Sequence, residues 1–219
     1  LDFKTQYFWV KNLYLTLNVH KSAFLTYFFN NKKKCFFGIL AIAFFIWFLN
    51  CLPSPLFNNP YSKIVNDYNG KLLSAKIASD GQWRFPQGDS INSKFAKCIT
   101  TFEDQYFYSH PGINPASIWR ALRQNIKAKK VVSGGSTITM QLVRLIRKNK
   151  KRTYFEKVIE LVWALRLELT HSKKEILNLY FAQATFGSNV VGIEAASWRY
   201  FGRSSQQLSW AECASLAVL

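Results

Sequence analysis

Hydrophobic positions are distributed unevenly along this chain, and their longest run lies near the N-terminal end. Residues 35–52 read CFFGILAIAFFIWFLNCL, a stretch without a charged side chain. An α-helix of that length spans about 27 Å, which is close to the hydrocarbon thickness of a bilayer. The run therefore predicts a transmembrane helix, against the alternatives of a buried core helix or a signal peptide. No small-residue cleavage site typical of a signal peptide follows it.

Beyond this run the pattern changes twice. Residues 63–85 carry β-branched and aromatic side chains around two dipeptides typical of tight hairpin turns, Asn-Gly and Asp-Gly. From about residue 90, hydrophobic positions recur with helical spacing, and glycine and proline stand only at breaks. The sequence thus predicts a mainly α protein with a tail at 1–34, the transmembrane helix at 35–52, a linker with a short β ribbon at 53–89 and a helical domain at 90–219. Because the first residue is not Met and the last helical segment stops at Leu219, we expect a fragment that is truncated within this domain.

The segment 115–130 combines a hydrophobic stripe with a basic surface. Its hydrophobic residues at helical spacing are Ile118, Trp119, Leu122 and Ile126. Arginines and lysines occupy the other sides of the predicted helix: Arg120, Arg123, Lys127, Lys129 and Lys130. Two interpretations stay open: a core-facing helix with a solvated basic face, or a helix that lies at an anionic lipid surface.

A second stripe predicts a longer helix over 153–170. Its hydrophobic positions, which are spaced by 3, 4, 3 and 4 residues, are Phe155, Val158, Val162, Leu165 and Leu169. This spacing predicts that the stripe is buried and that Glu160 lies on another face. Glu156 and Glu160 are one helical turn apart and repel each other, so this face requires a cation nearby.

The charge balance narrows the range of partners. Lys and Arg number 29 against 12 Asp and Glu, a formal net charge of +17. Such a charge favours nucleic acid, a phosphate-bearing substrate or an anionic membrane surface. A hydrophobic content of 49% excludes a disordered nucleic-acid-binding tail.

Three lysines at 32–34 precede the predicted membrane helix, so the positive-inside rule places the tail in the cytoplasm and the remaining chain outside. Most basic residues then lie on the extracytoplasmic side of the membrane, which argues against nucleic acid as a partner. The four cysteines show neither CxxC pairing nor zinc-like spacing to histidine. They predict neither a metal site nor a disulfide framework.

Acidic residues are scarce, which makes the stretch TFEDQYFYSHPG a candidate site. If a helix begins there, Glu103, Phe107 and His110 lie on one side, and the helix ends before the Pro-Gly pair. Asp104 then points elsewhere. A glutamate held against aromatic rings is suited to exchange protons in catalysis. The alternative is a helix end with ordinary surface acids.

The stretch SGGSTITMQLVRLIRK is a candidate anion site. The free N–H groups at the start of its predicted helix, together with the hydroxyls of Ser136 and Thr137, are suited to hold an anion. Arg144, Arg147 and Lys148 follow on the same helix. No Lys-Ser/Thr follows the glycines, so this is not a Walker motif, and a well-capped helix is the alternative.

Five motifs in order resemble one enzyme family. They are EDQYFYSHPG, GGSTITMQL, EKVIE, SKKEILNLYFAQATFG and GIEAASWRYFG, all on the outer side of the predicted membrane helix. From about residue 92 to 219 the chain resembles the peptidoglycan glycosyltransferases, glycosyltransferase family 51. These form the polymerising domain of class A penicillin-binding proteins and the monofunctional biosynthetic transglycosylases. DGQWRFP, the Met of STITMQL and AASWRYFG are most similar to the 1C branch.

The resemblance implies a lysozyme-like helical domain with a smaller jaw that dips into the membrane, to which 115–130 would belong. The implied reaction joins lipid II, a disaccharide-peptide on undecaprenyl pyrophosphate, to a nascent glycan strand with inversion at the anomeric carbon, releasing undecaprenyl pyrophosphate. Glu103 matches the general base that deprotonates the acceptor 4-hydroxyl. Glu160 matches the acid that assists the departing pyrophosphate directly or through a divalent cation, Mg²⁺ or Mn²⁺. The residues implied to bind substrate are Asp104, Phe107, His110, Ser136, Thr137, Gln141, Arg144 and Lys157.

The implied location is the bacterial plasma membrane, crossed once, with membrane lipids and other cell-wall synthesis proteins as further partners and no nucleic acid. Three positions depart from the family pattern: Glu156 stands for an Arg, Met140 for a Gln and Ala182 for an Asn. We expect the acid at 156 to weaken the phosphate-binding side and the Ala to loosen packing. Two other functions therefore stay open: a non-catalytic or weakly active cell-wall scaffold, and a lysozyme-like glycan hydrolase.

Overall fold

The structure, a computed structural model, describes residues 32–86, 92–148 and 153–219. The chain comprises two compact units, Leu1–Asn50 and Cys51–Leu219. Most of the predicted tail, residues 1–31, lies outside the described residues.

The first unit contains helix α1, Lys32–Asn50, which is long and apolar enough to cross a membrane. It begins and ends slightly nearer the N-terminus than the predicted span 35–52. The helix stops before Pro53, because the residue that precedes a proline is disfavoured in the helical conformation. The side-chain amide of Asn50 donates to the Ile46 carbonyl at 2.8 Å and so satisfies an acceptor in the last turn.

The second unit begins with a small antiparallel hairpin, which confirms the predicted β ribbon. Strands β1, Lys63–Asn66, and β2, Leu72–Lys76, are paired. In the turn, the Asp67 carboxylate accepts from the Asn69 N–H at 2.9 Å. Gly70 has φ +80°, the left-handed conformation that this turn requires.

A second sheet joins the predicted linker to the helices. Strand β3, Trp83–Arg84, pairs in parallel with β4, Val190–Val191. The neighbouring Phe85 is buried in the hydrophobic core. The linker predicted over 53–89 therefore includes a strand that packs on the helical domain.

Seven further helices build the second unit, so the mainly α prediction is confirmed for the described residues. They are α2, Ser93–Glu103; α3, Pro115–Ala128; α4, Ile138–Ile146; α5, Tyr154–Thr170; α6, Lys173–Gln183; α7, Ile193–Phe201; and α8, Trp210–Ala217. Two short 3-10 turns lie at Phe107–Ser109 and Ser205–Gln207. Polar residues begin most of these helices: the side chains of Asn92, Asn114, Thr137 and Thr153 each accept from an N–H three residues further on.

Helix α4 lies at the centre of the core. Its residues Ile138, Met140, Leu142 and Val143 are fully buried. Phe95 of α2 and Phe181 of α6 pack edge-to-face in the same core, with ring centroids 4.8 Å apart. Burial of side chains of this size contributes about 1.5–3 kcal/mol each. The core therefore fixes α4 and, with it, the polar residues on its remaining face.

The prediction that the hydrophobic stripe of 153–170 is buried is wrong. Phe155 is 74% exposed and Leu169 is 72% exposed, whereas Glu160, Ala164 and Leu167 face the interior. Helical spacing identifies an apolar face but does not say what covers it. Here the inward face is the one that brings Glu160 to its cationic partners.

For 115–130, the core-facing interpretation is also wrong. Trp119 and Ile126 are each 68% exposed and Leu122 is exposed, and Ala121 is the buried residue of α3. The hydrophobic stripe of this helix and its basic side chains are therefore both at the surface.

The helix predicted to begin in FEDQYFYSH has a different position. Helix α2 ends at Glu103, and Asp104 has φ −159°, an extended conformation. Phe107 lies in the following 3-10 turn and His110 after it. At Gly112, with φ +81°, an added Cβ would meet the Glu168 side chain at 2.8 Å, so only glycine allows the loop to close on α5.

Candidate active site

Glu103 is the last residue of α2 and is half-buried. Its Oε2 accepts a 2.6 Å hydrogen bond from Nε2 of Gln141 on α4. The Tyr180 hydroxyl on α6 donates to Oε1 of the same amide at 3.1 Å. Three helices thus converge on this carboxylate. Gln141, which the resemblance assigns to substrate binding, lies against Glu103.

Asp104 ties the loop after α2 to the start of α4. Its two carboxylate oxygens lie 2.9 and 3.0 Å from Nε2 of His110, and Oδ2 also accepts from the Ile138 N–H at 3.1 Å. A carboxylate at a helix N-terminus is stabilised by free N–H groups and by the helix dipole. Asp104 and His110 are both buried, so this pair fixes the loop that follows Glu103.

Phe107 is fully buried, and the Lys173 ammonium lies 4.4 Å from its ring centroid. The same ammonium donates to the His110 carbonyl at 2.7 Å and to Glu168 at 2.8 Å. Glu168 in turn accepts from the Thr139 hydroxyl at 2.6 Å. This network holds the loop of Phe107 and His110 against α4, α5 and α6. The sequence analysis named Phe107 and His110 but not Lys173, Glu168 or Thr139, because these three resemble ordinary surface or capping residues.

The two hydroxyl residues at the start of α4 have different surroundings. Thr137 is buried, donates to the Gly112 carbonyl at 2.6 Å and caps the helix by accepting from the Met140 N–H at 3.1 Å. Ser136 is half-buried, and its hydroxyl accepts from the Lys157 ammonium at 2.8 Å. Thr137 thus orders the helix start, whereas Ser136 lies next to a cation.

Glu160 lies between two cations. Arg144 donates to its two oxygens at 2.9 and 3.1 Å, and Lys157 donates to Oε2 at 3.1 Å. Burial opposes ionisation of this carboxyl, but the two charged donors outweigh it, so the pKa of Glu160 lies below its usual value. The hydrogen bond from Arg144 to Glu160 raises the pKa of the guanidinium. The sequence analysis predicted a cation near Glu156 and Glu160. At Glu160 this charge comes from Arg144 on α4 and from Lys157.

Glu156 has a separate cationic partner. It accepts a hydrogen bond from Arg147, whose guanidinium lies 4.6 Å from the ring centroid of Trp163. Both charged side chains are mostly buried. The negative charge of Glu156 is therefore compensated by Arg147, where α4 meets α5.

Three adjoining cavities surround these residues. The Glu103 cavity, of about 230 Å³, is lined by Glu103, Gln141, Arg144 and Tyr180 with an apolar floor that includes Leu145 and Phe186. The Glu160 cavity, of about 440 Å³, is lined by Gly134, Gly135, Ser136, Arg144, Lys157 and Glu160 among others. A third, of about 110 Å³, includes Glu103, Asp104, Arg120 and residues 134–137.

Arg144 lines both the Glu103 cavity and the Glu160 cavity. The third cavity shares Glu103 with the first and Ser136 with the second. The two acids therefore border one cleft, with the Glu103 carboxylate at one side and a cationic cluster at the other. Phe107 and His110 lie outside these linings.

Tyr180 and Arg120 are among the lining residues that the sequence analysis did not assign to the site. Tyr180 occurs in a hydrophobic helix and carries no local sign of a polar partner. Arg120 was assigned to a basic surface, but it also lines the third cavity.

Comparison with known proteins places these residues in a family context. A family model described as Transglycosylase matches residues 69–219. Penicillin-binding protein 1C of Escherichia coli K12 is 39% identical over 194 residues, which cover 86% of this chain and 25% of that protein. Penicillin-binding protein 1A of Aquifex aeolicus is 36% identical over 199 residues, which cover 85% of this chain and 27% of that protein. A biosynthetic peptidoglycan transglycosylase of Alcanivorax borkumensis is 34% identical, over 80% of this chain and 69% of that protein. The chain thus spans about a quarter of the two penicillin-binding proteins.

Proposed function

The chain belongs to the transglycosylase family, and from that premise we propose that it polymerises lipid II into peptidoglycan glycan strands, with inversion at the anomeric carbon and release of undecaprenyl pyrophosphate. The observation that carries this proposal is the cleft in which Glu103 and the cluster of Arg144, Lys157 and Glu160 border adjoining cavities that share Arg144.

Glu103 is the proposed general base. Its carboxylate takes the proton of the acceptor 4-hydroxyl as the acceptor oxygen bonds to the anomeric carbon of the donor. The bond between that carbon and the diphosphate oxygen breaks, and its electron pair leaves with the diphosphate. Attack and departure on opposite faces of the sugar produce inversion, which suits two acids separated by a sugar-binding cavity.

Arg144 and Lys157 are the proposed diphosphate ligands, together with Ser136 and the glycines before it. Negative charge increases on the diphosphate as the bond to carbon breaks, so cations fixed in advance lower the barrier. Glu160 keeps both cations in place through the three hydrogen bonds described above. Its proposed role is to organise the leaving-group side of the cleft.

A divalent cation held by the protein alone does not fit the residues that surround Glu160. Both Glu160 oxygens already accept from cations, and residues 32–86, 92–148 and 153–219 contain no group of three or more metal-ligating side chains. Mg²⁺ or Mn²⁺ would have to arrive with the diphosphate, whose oxygens supply further ligands. We therefore assign the charge stabilisation to Arg144 and Lys157.

Membrane lipids are the proposed surroundings of the domain surface near the cleft. Helix α3 combines exposed Trp119, Leu122 and Ile126 with basic side chains, and α5 exposes Phe155 and Leu169. Both helices border the cleft: α5 lines the Glu160 cavity through Lys157, and α3 lines the third cavity through Ser117 and Arg120. Aromatic and basic side chains together favour an anionic bilayer surface.

The proposed location is the bacterial plasma membrane, with α1 as the anchor and the cleft on the extracytoplasmic side. A lipid-linked substrate stays in the bilayer, so the enzyme must act at its surface. Other cell-wall synthesis proteins are further proposed partners.

The test is an assay of the protein in detergent with lipid II and Mg²⁺ or Mn²⁺. We expect glycan strands from the parent protein and at least about a thousandfold lower rate from Glu103→Gln, since general base catalysis contributes about 10²–10⁴. Glu175→Gln is the matched control, because glutamine preserves the capping box at the start of α6. Polymer formation by Glu103→Gln at the parent rate would refute the role of Glu103.

The same assay separates the two alternative functions. A hydrolase would release fragments from purified sacculi and make no polymer. A scaffold would bind lipid II without converting it.

A further inference from the structure

Tyr180 has a polar partner in an otherwise apolar environment. The residue is 7% exposed and belongs to the hydrophobic core. Its hydroxyl lies at the edge of the Glu103 cavity, where it donates to Oε1 of Gln141 at 3.1 Å. A buried hydroxyl without a partner costs about 1–3 kcal/mol, so this bond is needed for Tyr180 to be accommodated.

The side-chain amide of Gln141 uses both its donor and its acceptor. Its NH₂ group donates to Glu103 at 2.6 Å, and its oxygen accepts from Tyr180. An amide that lacks the second bond can rotate about its terminal torsion, which is broad and roughly two-fold. Rotation would turn the amide oxygen toward the Glu103 carboxylate, where two acceptors repel. The Tyr180 hydroxyl therefore selects the orientation in which Gln141 donates.

The Tyr180 hydroxyl keeps its proton under all conditions in which the enzyme would work. Burial, and then the negative charge of Glu103, raise the pKa of Tyr180 far above its usual value. The hydroxyl is thus a permanent donor, and it does not compete with Glu103 as a proton acceptor.

We infer that Tyr180 is a positioning residue that acts through Gln141 to hold the Glu103 carboxylate in the orientation that abstracts the acceptor proton. This inference rests on the proposed function, since it assigns Tyr180 a part in the same proton transfer. It also gives Gln141 a role on the base side of the cleft, beside Glu103.

The experiment compares Tyr180→Phe, Gln141→Leu and the double variant in the lipid II polymerisation assay, with kcat and KM determined separately. Tyr180→Phe removes one oxygen and keeps the ring that fills the core. We expect kcat to fall about tenfold, as the loss of one hydrogen bond to the amide predicts, with KM within about twofold of the parent. Gln141→Leu is expected to lower kcat at least about tenfold.

The double variant tests whether Tyr180 acts through Gln141. If it does, Tyr180→Phe changes kcat by less than about twofold once Gln141 is leucine, so the two effects are not additive. A purely structural effect of Tyr180 would instead lower kcat to the same extent in both backgrounds. Tyr200→Phe is the matched control, because the Tyr200 hydroxyl donates to the Phe186 carbonyl at 2.7 Å and makes no bond to the amide. It is expected to lower the melting temperature while kcat stays within about twofold of the parent.

The outcomes separate this inference from the proposed function. If the parent makes no polymer, the proposed function fails and the inference fails with it. If the parent is active, three results overturn the inference alone: an unchanged kcat in Tyr180→Phe, a raised KM with unchanged kcat, or additive losses in the double variant. If Tyr180→Phe does not fold, Gln141→Leu decides, and an unchanged kcat in that variant overturns the inference.

Discussion

The two acids of the cleft are held in opposite ways. Glu160 is 4% exposed and lies between Arg144 and Lys157, whereas Glu103 is half-buried and accepts from the neutral amide of Gln141. A carboxylate bound by two cations is stabilised in its charged form and is a poor proton acceptor. The difference supports the proposal that Glu103 takes the proton and that Glu160 organises the cations.

The largest expected effect on stability comes from removal of the charge on Glu160. Glu160→Gln leaves Arg144 and Lys157 without their shared anion, and breaking a buried ion pair costs about 3–5 kcal/mol of unfolding free energy. We expect the polymerisation rate to fall at least about a hundredfold, since the diphosphate ligands lose their positions. Initial rates with lipid II and urea denaturation curves measure the two effects.

Glu103→Gln is the contrasting variant for this comparison. It should lose activity while its unfolding free energy stays within about 0.5 kcal/mol of the parent, because a neutral amide holds this side chain. Equal stability losses in the two variants would contradict the distinction between the two acids.

A smaller effect is expected from pH. The pKa of Glu160 is lowered in the folded protein, so its contribution to stability is fully present above the ordinary glutamate pKa and is lost as pH falls through the folded pKa. The difference in unfolding free energy between the parent and Glu160→Gln should therefore be largest above about pH 5 and shrink below about pH 4. Urea denaturation of both proteins between pH 7 and pH 3 measures it. A difference that does not change with pH would show that Glu160 is not stabilised in its charged form.

The smallest effect is expected at Glu156, where the resemblance to the family predicts an Arg. Its charge is compensated by Arg147, which also stacks on Trp163. Glu156→Gln should lower the unfolding free energy by about 1 kcal/mol and leave the polymerisation rate within about threefold of the parent. An increase in rate of more than tenfold would instead support the expectation that this acid weakens diphosphate binding.

The motifs predicted which residues lie at the cleft. They did not predict the contacts that each of these residues makes. Arg144, Lys157 and Glu160 do lie together, and Glu103 borders the adjoining cavity. Gln141 was assigned to substrate binding, and its contact with Glu103 was not predicted. Their catalytic and binding roles stay predictions until variants are assayed.

The errors of orientation have one physical cause. The stripe of Phe155 and Leu169 was expected inside and lies outside, and the stripe of Trp119 on α3 is exposed as well. Hydrophobic spacing reports that one side of a helix is apolar, and a protein core and a lipid surface both accept such a side. The choice between them depends on neighbouring helices that the local pattern does not contain.

The sequence by itself determined the apolar helix α1, the β hairpin, the helix caps and the family, because each depends on residues that are near one another in the chain or on a motif of fixed spacing. Only the tertiary structure decided the contacts that distinguish the two acids. Glu103 meets Gln141 across 38 residues, and Gln141 meets Tyr180 across 39. Such pairs leave no periodic pattern in the sequence, since their geometry is set by how α4 packs against α5 and α6 and by where the core places the end of α2.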